Sequence, residues 1–259
     1  MKHSFLDRYS DLGSFVHRLD PRTKLIITFA FILAVVLTPP LRWQAFALYF
    51  AVIASLILIS RVPPLYVLKR SLVIVPFVLM IVIFNMFLKP GDIVAGFNIW
   101  HWQVSITDEG LLFSWNVLIK AWLSVLSLIL LSSTTEFSEL LKGLEQLRMP
   151  RVMVMILSFM YRYIFLLVDE VIRMKQARDS RNFGGKRMWQ LKTIGNMVGT
   201  LFLRSYERGE RVYGAMVARG FDGRTRTLSN LRLSRQDLYF GVGFLLCLSL
   251  ISATTFIYI

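Results

Sequence analysis

The chain has 259 residues, of which 55% are hydrophobic, and a mean hydropathy of +0.56, too apolar for a soluble domain of this length. Its 30 Lys and Arg against 16 Asp and Glu give a formal net charge of +14. In a soluble chain that excess would suggest nucleic acid, but here the basic residues flank apolar runs, where the positive-inside effect places them, so the expected surroundings are a lipid bilayer and no nucleic acid.

The stretch from Met1 to Lys24 is polar and lacks the apolar core and small-residue cleavage site of a signal peptide. The first apolar helix is therefore expected to serve as an uncleaved targeting signal. A spanning helix needs about 20 apolar residues. Leu25–Thr38 is a short apolar run that Pro21 introduces after Asp20, a good N-cap, and that Pro39-Pro40 stops. Trp43–Ser60 follows and is broken by Arg61-Val62-Pro63-Pro64. The third run is Ser71–Leu88, the fourth Leu111–Leu131 and the last Leu238–Ile259. Between the third and fourth lies a polar connection whose only basic residue is Lys89, with Trp100 and Trp102 as expected interfacial anchors. The loops carrying Arg61, Lys69 and Arg70, and Lys142, Arg148 and Arg151, are basic. This alternation predicts a multi-pass protein of the cytoplasmic membrane with five crossings, its N-terminus inside and its C-terminus outside.

Val152–Val168 is almost long enough to span, but it has Arg162 at its centre and continues without a breaker into Asp169-Glu170. A lone crossing there would place the most basic stretch outside, against the loop charges. A second crossing at 188–203 would contain Lys192, Asn196 and Thr200. Two long amphipathic helices on the cytoplasmic face are the first reading, and a pair of crossings is the second. The fold class is thus all-α and polytopic. The expected divisions are 1–135 with the first four spans, 136–237 as a cytoplasmic helical region, and 238–259 as the last span.

The basic half repeats itself at an offset of 38 residues, from Asp169 to Glu207. Asp169-Glu-Val-Ile-Arg-Met-Lys-Gln-Ala-Arg-Asp-Ser-Arg-Asn-Phe-Gly-Gly185 aligns with Glu207-Arg-Gly-Glu-Arg-Val-Tyr-Gly-Ala-Met-Val-Ala-Arg-Gly-Phe-Asp-Gly223. Arg173, Ala177 and Arg181 share a helix face, as do Arg211, Ala215 and Arg219. Asp169/Arg173 and Glu207/Arg211 are acid-before-base i,i+4 pairs that support their helices. Asn182 and Gly220 hold matching positions, and both residue types accept a left-handed C-cap. Each tip thus presents an Arg, a turn and an aromatic residue, Phe183 or Phe221. An Arg at a helix C-terminus stabilises that helix through the macrodipole, which explains either Arg alone. Two tips in register also suit docking into paired grooves of a two-fold partner. The residues alone leave both readings open.

At these motifs the chain resembles the transmembrane (T) component of energy-coupling factor transporters, and within them the cobalt-type CbiQ family. The resemblance runs from HRLDPRTK (His17–Lys24) to about Arg226. It rests on Ala218-Arg219-Gly220, on RYIFLLVDE (Arg162–Glu170) and on TTEFSELLKGLEQLRMP (Thr134–Pro150). LDPRTK is common to T components, whereas RYIFLLVDE and RSYERGERVYGAM (Arg204–Met216) are most similar to the cobalt branch. The resemblance implies two cytoplasmic coupling helices whose arginines enter grooves on an ABC ATPase dimer. It also implies membrane helices that hold a substrate-binding subunit, and cobalt or nickel as cargo, with a vitamin as the alternative. The docking residues would be Arg181, Asn182, Phe183, Ala218, Arg219, Gly220 and Phe221. The chain departs from the pattern at Ser180-Arg181-Asn182, which stands for Ala-Arg-Gly, and an alternative register places Arg178 there.

Other chemistry finds little support. Gly184-Gly185-Lys186-Arg187 lacks the upstream Gly and the Ser or Thr of a phosphate-binding loop. His3, His17 and His101 are scattered, and Cys247 stands alone in an apolar run. No metal site, cofactor or enzymatic activity is expected. An intramembrane protease or lipid transferase would need clustered acids, His or a nucleophile at membrane depth, and a solitary channel would need more polar lining. The Met residues around Met149–Met160 read as an adaptable packing surface for a helical partner. Lys120, inside the fourth run, is either a functional charge or a snorkelling side chain of a helix that begins later. Asn85 reads as an interhelical hydrogen bond.

Overall fold

The computed structural model describes residues 12–40, 42–88, 93–99, 102–181, 187–223 and 234–257. Phe15–Arg18 forms a short helix, α1, and Pro21–Leu37 forms α2. Pro21 occupies the first turn of α2, and the Asp20 carboxylate accepts a hydrogen bond from Arg22 N at 2.9 Å, so the helix starts where Asp-Pro dictates. At its other end, Ala34 O accepts from Thr38 Oγ1 at 2.8 Å. α3, Trp43–Ser60, ends on Arg61 in the left-handed conformation, φ 57°.

The third run is not one helix. α4, Pro64–Leu72, and α5, Val75–Leu88, are bent by 43° across Val73-Ile74. Pro76 explains the break: it has no N–H, and its ring would collide with the Leu72 carbonyl one turn earlier. The connection read as a plain polar loop is an antiparallel hairpin of β1, Ile93–Ile99, and β2, Trp102–Thr107, with Ile99 opposite Trp102 and a register irregularity between Ile93 and Ala95. Its β-branched and aromatic residues favour strand. The expectations for Lys89 and Trp100 lie outside the described residues, and the side-chain roles expected of Trp102 and Asn85 fall outside the described side chains.

α6, Asp108–Thr134, begins with Asp108 and Glu109, acids that suit a helix N-terminus. It packs against α2, α3, α4 and α5, while α10, Arg235–Ile257, packs on α2 and α3. Ile27, Phe31, Tyr49, Ile53, Leu123 and Leu248 meet in their shared core, with Phe31 and Tyr49 edge to face at 5.8 Å. The outward faces carry Phe29, Leu58, Phe77 and Leu250, each at least 67% exposed. Faces this apolar fit hydrocarbon better than water. α3, α6, α8 (Arg151–Asp179) and α10 are long and apolar enough to cross a membrane, and α4–α5 adds one if the bent pair is a single crossing. α2, at 17 residues, packs among them. The fold is thus all-α and polytopic, with one small hairpin.

α6 begins at Asp108, so Lys120 is not near a late helix start. Its ammonium donates to Val36 O at 2.9 Å, one of the last carbonyls of α2 and otherwise without an intrahelical partner. α7 spans Phe137–Gln146 and α9 Arg187–Ala218. The chain divides into two compact units, Leu144–Asn230 and, chiefly, Lys2–Gly143 with Leu231–Ile259.

Candidate functional site

In the unit formed by Leu144–Asn230, α8 and α9 carry the repeat motifs. α9 stops at Ala218 through a complete Schellman closure. Gly220 takes φ 77°, its N–H reaches Val217 O at 2.9 Å, and Phe221 N reaches Met216 O at 3.0 Å. The turn leaves the Arg219 side chain exposed at the tip. α8 stops at Asp179, and Ser180 continues in the right-handed region, with its N–H on Gln176 O at 2.9 Å. Asn182 and Phe183 lie outside the described residues, so the paired geometry is described only as far as Arg181. The two candidate arginines of that tip differ. Arg178 donates from Nε and one terminal nitrogen to Asp179 at 3.0 and 2.8 Å. The Arg181 side chain is exposed and, like that of Arg219, has no hydrogen-bond or ion-pair partner among the described residues.

The supporting ion pairs are unequal. Glu207 and Arg211 pair at i,i+4, 3.7 Å apart. In the first copy, Arg173 pairs at 2.7 Å with Glu170, one residue beyond the expected Asp169. The i,i+3 spacing brings the two together as well as i,i+4 does, and it leaves the other oxygen of Glu170 for Arg204 of α9. Glu170 thus ties the two long helices, and these two arginines hold its carboxyl below the usual range. The sequence repeat did not signal this link, because Arg204 lies outside the repeated segment. Phe159, Tyr163 and Leu167 of α8 and Arg208, Val212 and Met216 of α9 line a groove of about 220 Å³. Val154 is the buried residue of α8, while Ile156, Met160, Phe202 and Tyr213 are exposed. Two helices this bare need further cover.

The other unit contains a buried polar knot that sequence reading missed. Lys24 Nζ donates to His17 O and Thr134 O, both at 2.9 Å, and to Thr135 Oγ1 at 3.2 Å. An ammonium has three protons to donate, and here all are used. Asp237 Oδ1 accepts from Asp20 N at 3.0 Å, and its Oδ2 accepts from Ser234 N at 2.8 Å. One carboxylate therefore caps the start of α10 and clasps the start of α2. Gly143 packs on the same turn of α2: a Cβ there would stand 3.3 Å from Pro21 Cβ and 3.2 Å from Leu25 Cδ1. Among the described residues no group of three or more His, Cys, Asp or Glu is placed to hold a metal ion.

The profile of CbiQ, described as a cobalt transport protein, matches residues 13–229. The chain belongs to the CbiQ family. The chain is 31% identical to the energy-coupling factor transporter transmembrane protein EcfT of Listeria innocua, over 87% of this chain and 89% of that one. The EcfT protein of Clostridium kluyveri is 28% identical, with 97% of each chain covered. An uncharacterized protein of Methanocaldococcus jannaschii is 29% identical over 91% of this chain and 81% of its own length. These relatives make the CbiQ-family chain a T component of the energy-coupling factor type. The CbiQ match contains Asp20, Lys24 and both helix tips, and it stops short of Asp237 and α10.

Proposed function

We propose that this T component is the coupling subunit of an ABC-type importer. Its Arg181 and Arg219 tips dock into paired grooves of a cytoplasmic ATPase dimer, and its membrane helices hold a substrate-binding subunit. The observation that carries the reading is the α9 tip, where an exposed Arg219 is presented by a Gly220 Schellman turn and pairs with nothing among the described residues. A guanidinium so placed can donate two parallel hydrogen bonds to a carboxylate or to backbone carbonyls. At the first tip Arg181 takes this role, since Arg178 is turned onto Asp179. The exposed apolar flanks of α8 and α9 supply the hydrophobic part of a helix-in-groove contact. In this arrangement both helices, Val152–Val168 included, lie on the cytoplasmic face and the N-terminus is cytoplasmic. That orientation keeps the basic loops inside.

Motion of the ATPases on binding and hydrolysing ATP is passed through α8 and α9 to the subunit that carries the cargo. Coupling of this kind needs an element with two arrangements that both sites bias, and the α8–α9 pair fastened by Glu170 is that element. The cargo is cobalt or nickel, in line with the description of the matching family. The EcfT relatives carry no cargo in their names, and the second reading is a T component serving a vitamin-specific or shared transporter. Co-purification from detergent extracts tests the docking. Arg219→Glu releases the ATPases and Arg219→Lys releases fewer of them; undiminished recovery with both Arg181 and Arg219 reversed to Glu refutes it. Uptake of labelled cobalt and nickel by the reconstituted complex decides the cargo.

A further inference from the structure

An elongated cleft of about 680 Å³ opens between α4–α5 and α6. Leu65, Leu68, Leu72, Val78, Trp115 and Trp122 form its walls, and Lys69 stands among them as the charged residue. The polar groups of the wall satisfy each other: Trp122 Nε1 donates to Ser71 Oγ at 3.3 Å. Along most of its length the cleft therefore offers a guest apolar side chains, with the Lys69 cation among them. Its volume lies within the roughly 300–1,000 Å³ of ordinary ligand sites. The lining runs along α6 from Trp115 to Val125. At 1.5 Å per residue that is about 15 Å, half of a hydrocarbon core of roughly 30 Å, or the depth of one leaflet.

The register fixes which end is charged. Ser114 Oγ donates to Val82 O at 3.1 Å, and Trp122 meets Ser71. The α4–α5 pair and α6 therefore run antiparallel, and Lys69 belongs to the Val125 end. Arg61 and Arg70 flank this end in sequence, and no Asp or Glu occurs between Asp20 and Asp92. Lys69 is exposed and has no ion-pair partner among the described residues. A transmembrane helix of a partner would be the other guest. Close helix approach favours Gly, Ala and Ser along an interface, whereas these walls are mostly Leu, Val, Ile and Trp. A flexible acyl chain fits such walls without demanding close backbone approach.

We propose that this cleft is a binding site for one anionic phospholipid, with an acyl chain laid between α4–α5 and α6 and its phosphate held by the Lys69 ammonium. Basic pockets between membrane helices recognise anionic headgroups in this way. The 43° bend at Pro76 helps to shape the groove, since α4 and α5 diverge there along α6. The inference stands apart from the docking of ATPases.

The test is native mass spectrometry of the delipidated full chain titrated with phosphatidylglycerol or phosphatidylcholine. The wild type retains one phosphatidylglycerol in preference to phosphatidylcholine. Each basic side chain near an anionic surface contributes roughly fivefold in affinity. Lys69→Gln therefore weakens phosphatidylglycerol roughly fivefold and leaves phosphatidylcholine unchanged. Ala121→Leu, which fills the cleft from α6, weakens both. Lys69→Glu serves as a second surface variant and reverses the preference. Unchanged phosphatidylglycerol binding in Lys69→Gln or in Ala121→Leu overturns the proposal. So does loss of the lipid when the substrate-binding subunit is added, because the cleft then belongs to that partner.

Discussion

Replacing Lys24 by Met tests the knot at the start of α2. Methionine keeps most of the stem volume and donates no hydrogen bond. The three acceptors that Lys24 serves, His17 O, Thr134 O and Thr135 Oγ1, would lose their donor in a site where Lys24 is 5% exposed and Thr135 2%. Asp20, Glu139 and Asp237, whose carboxylates act on the Lys24 charge, would lose a countercharge. Removing one partner of a buried charged cluster costs about 3–5 kcal/mol. In a chain of this size each kcal/mol shifts Tm by roughly 2–4 °C, so Lys24→Met lowers Tm by roughly 10 °C. The assay is thermal unfolding of the chain in nanodiscs, run alongside Asp237→Asn and the double variant. Because the Asp237 carboxylate acts on the Lys24 charge, the double variant falls short of additivity by roughly 0.5–3 kcal/mol. A Lys24→Met protein that melts within about 2 °C of the wild type refutes the account of Lys24 as a structural clasp.

Two further outcomes follow from the docking unit. Gly220→Ala places a side chain at φ 77°, which costs roughly 1–2 kcal/mol locally. Amide exchange over 216–221 quickens while the Tm of the chain holds, and equal protection in both proteins counts against the Schellman closure. Arg173 and Arg204 depress the Glu170 carboxyl, so the α8–α9 link is fully present above the unfolded carboxyl value of about 4.3. It is lost as pH falls through the lower folded value. Proteolysis of α8 and α9 therefore rises on acidification in the wild type, whereas Glu170→Gln is cut faster at neutral pH and changes less with acid.

The features legible in the sequence are those whose causes are local. Asp20-Pro21 starts a helix because its cap and its missing N–H act within one turn. Gly220 ends one because its φ is its own. The bend between α4 and α5 was also written locally, at Pro76, but the apolar run around it hid the signal. The strands β1 and β2 are hard to see in the sequence because Gly and Asn residues interrupt the alternation of Ile, Val and Phe. Arg173 pairs with Glu170 rather than Asp169 because i,i+3 serves as well as i,i+4, but the second bond of Glu170 comes from Arg204, 34 residues further along the chain. The knot was out of reach for the same reason: Lys24 meets Thr134 across 110 residues, and Asp20 meets Asp237 across 217. No periodicity or motif spacing records such pairs.

That contrast separates two kinds of shared motif in a T component. LDPRTK reads like a site, because it packs Asp, Arg, Thr and Lys into six positions. Yet its Asp20 and Lys24 are buried and committed to backbone and hydroxyl partners, so they have little left to offer an ATPase or a cargo. Arg219 and Arg181 are the reverse: they are exposed, pair with nothing among the described residues, and contribute little to the fold that holds them. Buried substitutions should therefore lower Tm first and lose ATPase only as a consequence. Tip substitutions should lose ATPase at unchanged Tm. A variant at Lys24 that released the ATPases while melting like the wild type would break this division, because a side chain 5% exposed could then act on a partner without acting on its own fold.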